Sequence, residues 1–488
     1  MKRTLPVVLV ALAFVVGACS DIETSKSDSD SIVPQLVSIS DLQAAPEDEV
    51  HVAYAPDVPP PIERSDQRVI EIHLESIEGV CPLDPENGIE FDMWGYRLKG
   101  DDEIVCGSPG PVIRGRVGDL ARISLTNVDG NGHPHNIDFH AVTGQGGGAA
   151  DLTVAPGETA TIEARLLYPG AFMYHCAFGD VPEHIAHGMY GMFIVDPETP
   201  LEPVDHEWAV MQSEWYVTEP DEAGLVDFDR PSLFDEEPRY VTFNGRTDAL
   251  SGDNALRMKV GEWARIYMVN EGLNLDSNWH PIGSHWAVVY PEAATHPSND
   301  VIRGSQSTLV VAGGGTVTEL IGEVPSTIVL VDHALVRTFY KGAIGQIIVE
   351  GDENPEIFGV GASEAGATPS GQSGAGSGAG GSGSEPVETD SVAITQGAYD
   401  PANEDQAYSP RNVKVKVGTT VRWTNDDSVV HTVTSGESDG RLGESDGLFD
   451  SGDMSEGDVF EYTFTEEGTF PYYCEPHPWM TGEVIVEA

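Results

Sequence analysis

From about residue 65 onward, apolar and polar residues alternate along much of the chain. Runs such as Val69-Ile70-Glu71-Ile72-His73-Leu74 and Ala121-Arg122-Ile123-Ser124-Leu125 have the period of two that buries one face of a strand and wets the other. Gly, Pro, Asn and Asp interrupt these runs as turn formers do. No long 3.6-residue periodicity stands out. The pattern predicts an all-β chain of short strands folded into sandwiches. One unit recurs: Val117-Gly118-Asp119, Val260-Gly261-Glu262 and Val417-Gly418-Thr419 each precede a strand-like run. Asn127, Asn270 and Asn425 follow in turn, and then histidine-bearing segments. Three copies of one sandwich explain this echo.

The ends and the breaks divide the chain. Residues 1–18 read as a secretory signal, with Lys2 and Arg3 ahead of an apolar run from Leu5 to Val16 that is short for a membrane span. The stretch Val16-Gly17-Ala18-Cys19 resembles the lipobox of bacterial lipoproteins, which implies cleavage before Cys19 and lipidation of its sulfur. Residues 19–50, rich in Ser, Asp and Glu, read as a flexible tether. Sandwiches are expected over 51–196, 197–357 and 389–488, with a Gly/Ser linker at 358–388 before the last. The protein would then be exported and held at a membrane, in the periplasm or on the cell surface.

Composition narrows the partners. The 488 residues carry 80 acidic against 25 basic side chains, a net charge of −55 spread along the chain. That sign argues against nucleic acid. It suits a halophilic source, where salt screens the self-repulsion. Cys81 and Cys106, in an oxidising compartment, either pair as a disulfide or remain two buried thiols.

The chemistry lies in a handful of histidine- and cysteine-bearing runs. In Met173-Tyr174-His175-Cys176, neighbouring side chains of a strand point to opposite faces. In His135-Asn136-Ile137-Asp138-Phe139-His140, read as a strand, His135 and His140 likewise part, while Asp138 and His140 share a face. One face collects His135, Cys176, His184 and Met189, a His2Cys set with a weak thioether that suits blue copper. The other collects Asp138, His140 and His175. Two imidazoles are too few for a catalytic metal, so a third ligand must come from elsewhere. Candidates are Trp279-His280-Pro281-Ile282-Gly283-Ser284-His285 and Asp332-His333. Near the C-terminus, His431 and Cys474-Glu475-Pro476-His477-Pro478-Trp479-Met480 form a second blue-copper set with no second face of ligands.

Over about residues 50–352 these motifs, with Gly144-Gln145-Gly146-Gly147-Gly148, resemble the copper-containing nitrite reductases that form nitric oxide. Gly188-Met189-Tyr190-Gly191 and the short Cys-to-His loop look most like the branch with lipid-anchored members. The resemblance implies cupredoxin-type Greek-key domains and a homotrimer. It implies type 1 copper on His135, Cys176, His184 and Met189, and type 2 copper on His140, His175 and a neighbouring subunit's copy of His333. Asp138 and His285 would be the catalytic pair, while His133, His187 and His280 match no ligand position. The C-terminal segment looks like the small cupredoxins, with a loop similar to that of amicyanin; His431, Cys474, His477 and Met480 would hold its copper as donor or relay. An external cupredoxin or cytochrome could also supply electrons. A laccase-like multicopper oxidase fits less well, because His175-Cys176 is followed by Ala177 and the only His-x-His motif is His133-Pro134-His135. A membrane-tethered electron carrier without catalysis would have no use for Asp138, His285 or His333.

Overall fold

Each Val-Gly echo opens a strand, and each strand ends on its asparagine: Leu120–Asn127, Trp263–Asn270 and Thr420–Asn425. Gly118, Gly261 and Gly418 turn into them at φ 91°, 90° and 85°, a left-handed conformation that glycine adopts without strain. Each asparagine amide then donates to two carbonyls of the loops that follow: Asn127 to His133 and Val154, Asn270 to Leu275 and Val310, Asn425 to Val429 and Met454. The echo is a buried clamp that holds the loop carrying the next functional residue.

The computed structural model describes residues 33–359 and 386–488, except 439 and 441. Six sheets form three sandwiches of six and five, six and five, and six and four strands. Each sandwich has its own apolar core: Ile70, Leu125 and Phe193 in the first, Ile266, Leu330 and Ile347 in the second, Val421, Trp423 and Val484 in the third. The first two also share a core, where Met192 and Ile194 meet Met211 and Val269. The strand Leu225–Val226 crosses over to pair with Ile89–Leu98 of the first sandwich. A buried ion network joins them further. Arg114 bonds Asp196 twice at 2.9 Å and Glu207 at 2.6 Å, and Glu207 bonds Arg265 at 3.0 Å. Strands from Val387 to Glu487 pair with one another only, among the described residues.

Two expected boundaries move. The tether read over 19–50 is not free along its whole length: Gln43–Ala44 is a strand in parallel register with Arg68 and Val69. Val37 also bonds Gln67 and Arg165. Polar composition misled here because this edge strand is held by backbone hydrogen bonds and buries neither side chain. The linker read over 358–388 ends earlier, because Val387–Glu388 pairs with Val413 and Lys414. The signal segment and Cys19 lie outside the described residues, as does most of the linker. No described helix is long and apolar enough to cross a membrane. Cys81 and Cys106 form a disulfide, while Cys176 and Cys474 are free and buried.

Candidate metal centres

The strand Gly170–His175 lies between Asp138–Phe139 and Tyr190–Asp196, with His175 opposite both Asp138 and Tyr190. Only Asp138–Phe139 of the expected strand 136–140 is regular, yet the two faces separate as alternation requires. On one side the ligand atoms of His135, Cys176 and His184 lie within 4.8 Å of one another. Cys176 Sγ is 3.3 Å from His184 Nδ1. His184 comes from the short helix Val181–Ala186. Met189 is fully buried in the same core, and its carbonyl accepts the Cys176 N–H at 3.0 Å. The Asn136 amide oxygen accepts the Ala177 N–H at 2.7 Å and so pins the cysteine loop.

Glu78, which had no signal in the sequence near any ligand, orients His135. The His135 Nε2–H donates to its carboxylate at 2.8 Å. That bond puts the proton on Nε2 and leaves the Nδ1 lone pair buried without a partner. A metal-seeking lone pair beside a thiol and a second imidazole fits copper, and the carboxylate behind the histidine raises its basicity. Burial pushes the Cys176 thiol up, and burial with neighbouring imidazoles pushes His184 down to about 4. Burial alone would raise Glu78, but hydrogen bonds from His135, Gly132 and His133 bring it down to about 2. Glu78→Gln should weaken copper binding at this centre by about 10–100-fold, read by chelator competition while the blue absorption is followed.

On the other side, ligand atoms of Asp138, His140 and His175 lie within 4.8 Å of one another. The His140 and His175 Nε2 atoms are 3.1 Å apart. His175 Nδ1–H donates to the Cys176 carbonyl at 3.1 Å, which frees its Nε2 for a metal. His140 is exposed and His175 half-buried, so the site is open, as catalysis requires. Gly147, at φ 53°, lets the glycine-rich loop close over the aspartate, since a Cβ there would meet Asp138 Oδ1 at 2.0 Å.

His333 is not in this group within one chain. It follows the strand Ser326–Asp332, is exposed, and its N–H bonds the Asn278 carbonyl at 2.9 Å. His280, not His285, stands beside His333, with ring centroids 5.2 Å apart. The strand Ser277–Ile282 carries His280 opposite Val331, two residues from His333. His285 lies beyond that strand, exposed and without a ring contact to His333 among the described residues. Sequence could not choose between two histidines five apart, because strand register decides which one reaches its neighbour.

The third sandwich repeats the first arrangement. Ligand atoms of His431, Cys474 and His477 lie within 4.8 Å, and Cys474 Sγ is 3.7 Å from His431 Nδ1 and 3.5 Å from His477 Nδ1. Asp427 holds His431 Nε2 at 3.0 Å, in the role of Glu78. Buried Met480 accepts the Cys474 N–H through its carbonyl at 3.1 Å, as Met189 does for Cys176. Tyr473 stands where His175 would be.

Sandwich domains with a thiolate, two imidazoles and a nearby thioether define a copper protein of the cupredoxin class. Residues 83–199 match the family model "Multicopper oxidase", and residues 396–487 match "Copper binding proteins, plastocyanin/azurin family". The chain is 42% identical over 305 residues to the copper-containing nitrite reductase of Neisseria meningitidis, covering 62% of this chain and 75% of that protein. It is 37% identical over 367 residues to that of Neisseria gonorrhoeae, covering 73% and 90%. The solved copper nitrite reductase of Nitrosomonas europaea superposes with TM-score 0.51 at 32% identity, over 59% of this chain and 96% of that one. The chain belongs to the copper-containing nitrite reductases.

Proposed function

We propose that this chain reduces nitrite with one electron and two protons to nitric oxide and water. The observation that carries the reading is the His175–Cys176 step, which puts a thiolate site and an open imidazole–carboxylate site on opposite faces of one strand. Type 1 copper would be held by His135, Cys176, His184 and Met189, and type 2 copper by His140, His175 and a second copy's His333. Bound there, the two coppers would supply the electron and a Lewis-acid site for nitrite. Asp138, beside both imidazoles, would pass a proton to an oxygen of nitrite. His280 donates Nδ1–H to the Gln306 carbonyl at 2.5 Å, which turns Nε2 outward for the second proton. The final sandwich, with copper on His431, Cys474, His477 and Met480, would be donor or relay.

A homotrimer agrees with the incomplete site. It also agrees with the exposed apolar side chains Leu335, Val336 and Phe339 just after His333, on the helix Leu335–Lys341. A lipid on Cys19 would hold the assembly at a membrane, and the net charge of −55 suits salt-rich surroundings. Complementation tests the shared site. His140→Ala and His333→Ala chains should each lack type 2 copper and activity while keeping both blue centres. Co-assembled chains should regain type 2 copper, seen by electron paramagnetic resonance, and part of the activity. No recovery in mixed assemblies would rule out a shared site.

A further inference from the structure

We propose that the adjoining rings of His133 and Trp94 are the port through which an electron from the C-terminal domain reaches the type 1 centre. The inference rests on the copper reading above and deepens it. Neither residue is a ligand, and His133 had no role in the sequence. Trp94, on the strand Ile89–Leu98 and 5% exposed, touches both imidazoles of the set: ring centroids lie 5.0 Å from His184 and 5.8 Å from His135. Its outer neighbour is His133, at 4.3 Å. A third imidazole, His187, stacks on it at 3.9 Å and 12° and keeps the indole in place.

The ligands themselves offer little surface. His135, Cys176 and Met189 are fully buried, and His184 is 7% exposed. The His133 side chain is 49% exposed. It also shares a carboxylate with a ligand, since Glu78 Oε1 lies 3.2 Å from His133 Nδ1 and accepts from His135 Nε2. A ring serving only as core filling would not need half its surface in water. Electron tunnelling weakens exponentially with the gap, so a surface ring in a chain of touching rings is where a donor couples best.

The donor has one partly exposed ligand of its own. In the C-terminal domain Cys474, His431 and Met480 are buried, and His477 is the ligand that is half-exposed, with the Trp479 ring 5.2 Å away and Pro476 and Pro478 beside it. Pro476, Pro478 and Trp479 are the apolar part of this rim, and Glu475 stands exposed in the same loop. Residues 360–385 connect the two described parts, and that many residues extend to at most roughly 90 Å, so length does not forbid the contact. One electron passes from cuprous copper in the C-terminal domain to cupric copper in the body; no bond is made or broken.

The test uses the full-length, copper-loaded chain, reduced anaerobically and mixed with nitrite. The blue absorption should return in two phases, the body centre first and the C-terminal centre second; a Cys474→Ser chain, lacking the second, assigns them. His133→Ala should slow the second phase by about tenfold to a hundredfold, the scale of one lost positioning contact, and leave the first phase, the band position and the reduction potentials unchanged. His133→Phe, which keeps a ring on Trp94, should restore the second phase. An unaltered second phase in His133→Ala, or a His133→Phe chain as slow as alanine, overturns the port. So does slowing that comes with a shifted band or potential, which marks a structural role. A wild-type chain with no blue band or no reoxidation by nitrite counts against the copper reading instead.

Discussion

Asp138→Asn should lower nitrite turnover by about 10²- to 10⁴-fold, the usual worth of a positioned proton donor, with both blue centres intact. Asparagine matches the side chain in shape and still fits beneath Gly147, whose missing Cβ makes room for the Asp138 oxygen. What it lacks is a transferable proton. The thiolate site lies on the other face of the strand and gains its own order from Glu78 and Asn136, so the blue absorption serves as a folding control. His280→Ala should be similarly impaired and His285→Ala close to wild type, because it is His280 that stands beside His333. Turnover measured anaerobically, with type 2 copper quantified in each variant, separates lost proton delivery from lost metal. Full activity in Asp138→Asn would remove the aspartate from the mechanism.

The second large effect concerns stability. Arg114→Met should destabilise the body by about 3–5 kcal/mol, the cost of removing one partner from a buried ion pair. Arg114 is 2% exposed and bonds Asp196, Glu207 and the Pro59 carbonyl, so methionine would leave two buried carboxylates short of a cation at the joint between sandwiches. Burial pulls the Glu207 carboxyl upward, but Arg114, Arg265 and the Tyr267 hydroxyl outweigh it and hold it below its ordinary 4.5. A carboxyl lowered by folding contributes stability that is complete above its unfolded value and lost as pH falls through the folded one. The deficit of Arg114→Met should therefore be largest near neutrality and shrink below about pH 4.5. Urea unfolding at both pH values, followed by the signal of the body, checks this. A deficit independent of pH would mean that methionine acts by packing alone.

Much of the metal chemistry was legible in the chain because ligands cluster on short loops. Cys474, His477 and Met480 sit within one turn region, and Cys176, His184 and Met189 within another, so spacing alone collects them. Alternation along a strand also separates His175 from Cys176 and His135 from His140 before any coordinates are known. The three Val-Gly turns and their asparagines marked the sandwiches for the same local reason.

What lies across strands was not legible. Glu78 meets His135 over a separation of 57 residues, and Trp94 meets His133, His135, His184 and His187 from a strand that carries no ligand. Asp427, four residues before His431, was nearer but carried no distinguishing pattern. The choice of His280 over His285 depends on the register between Ser277–Ile282 and Ser326–Asp332. The docking of residues 37–45 depends on backbone pairing that polar composition conceals. The sequence by itself determined which residues could bind metal and on which face of the strand they lie, because those are properties of neighbours along the backbone. The tertiary structure alone decided which carboxylate orients each imidazole, which histidine stands beside His333 and which ring reaches the surface, because strand pairing and packing between distant segments set those distances.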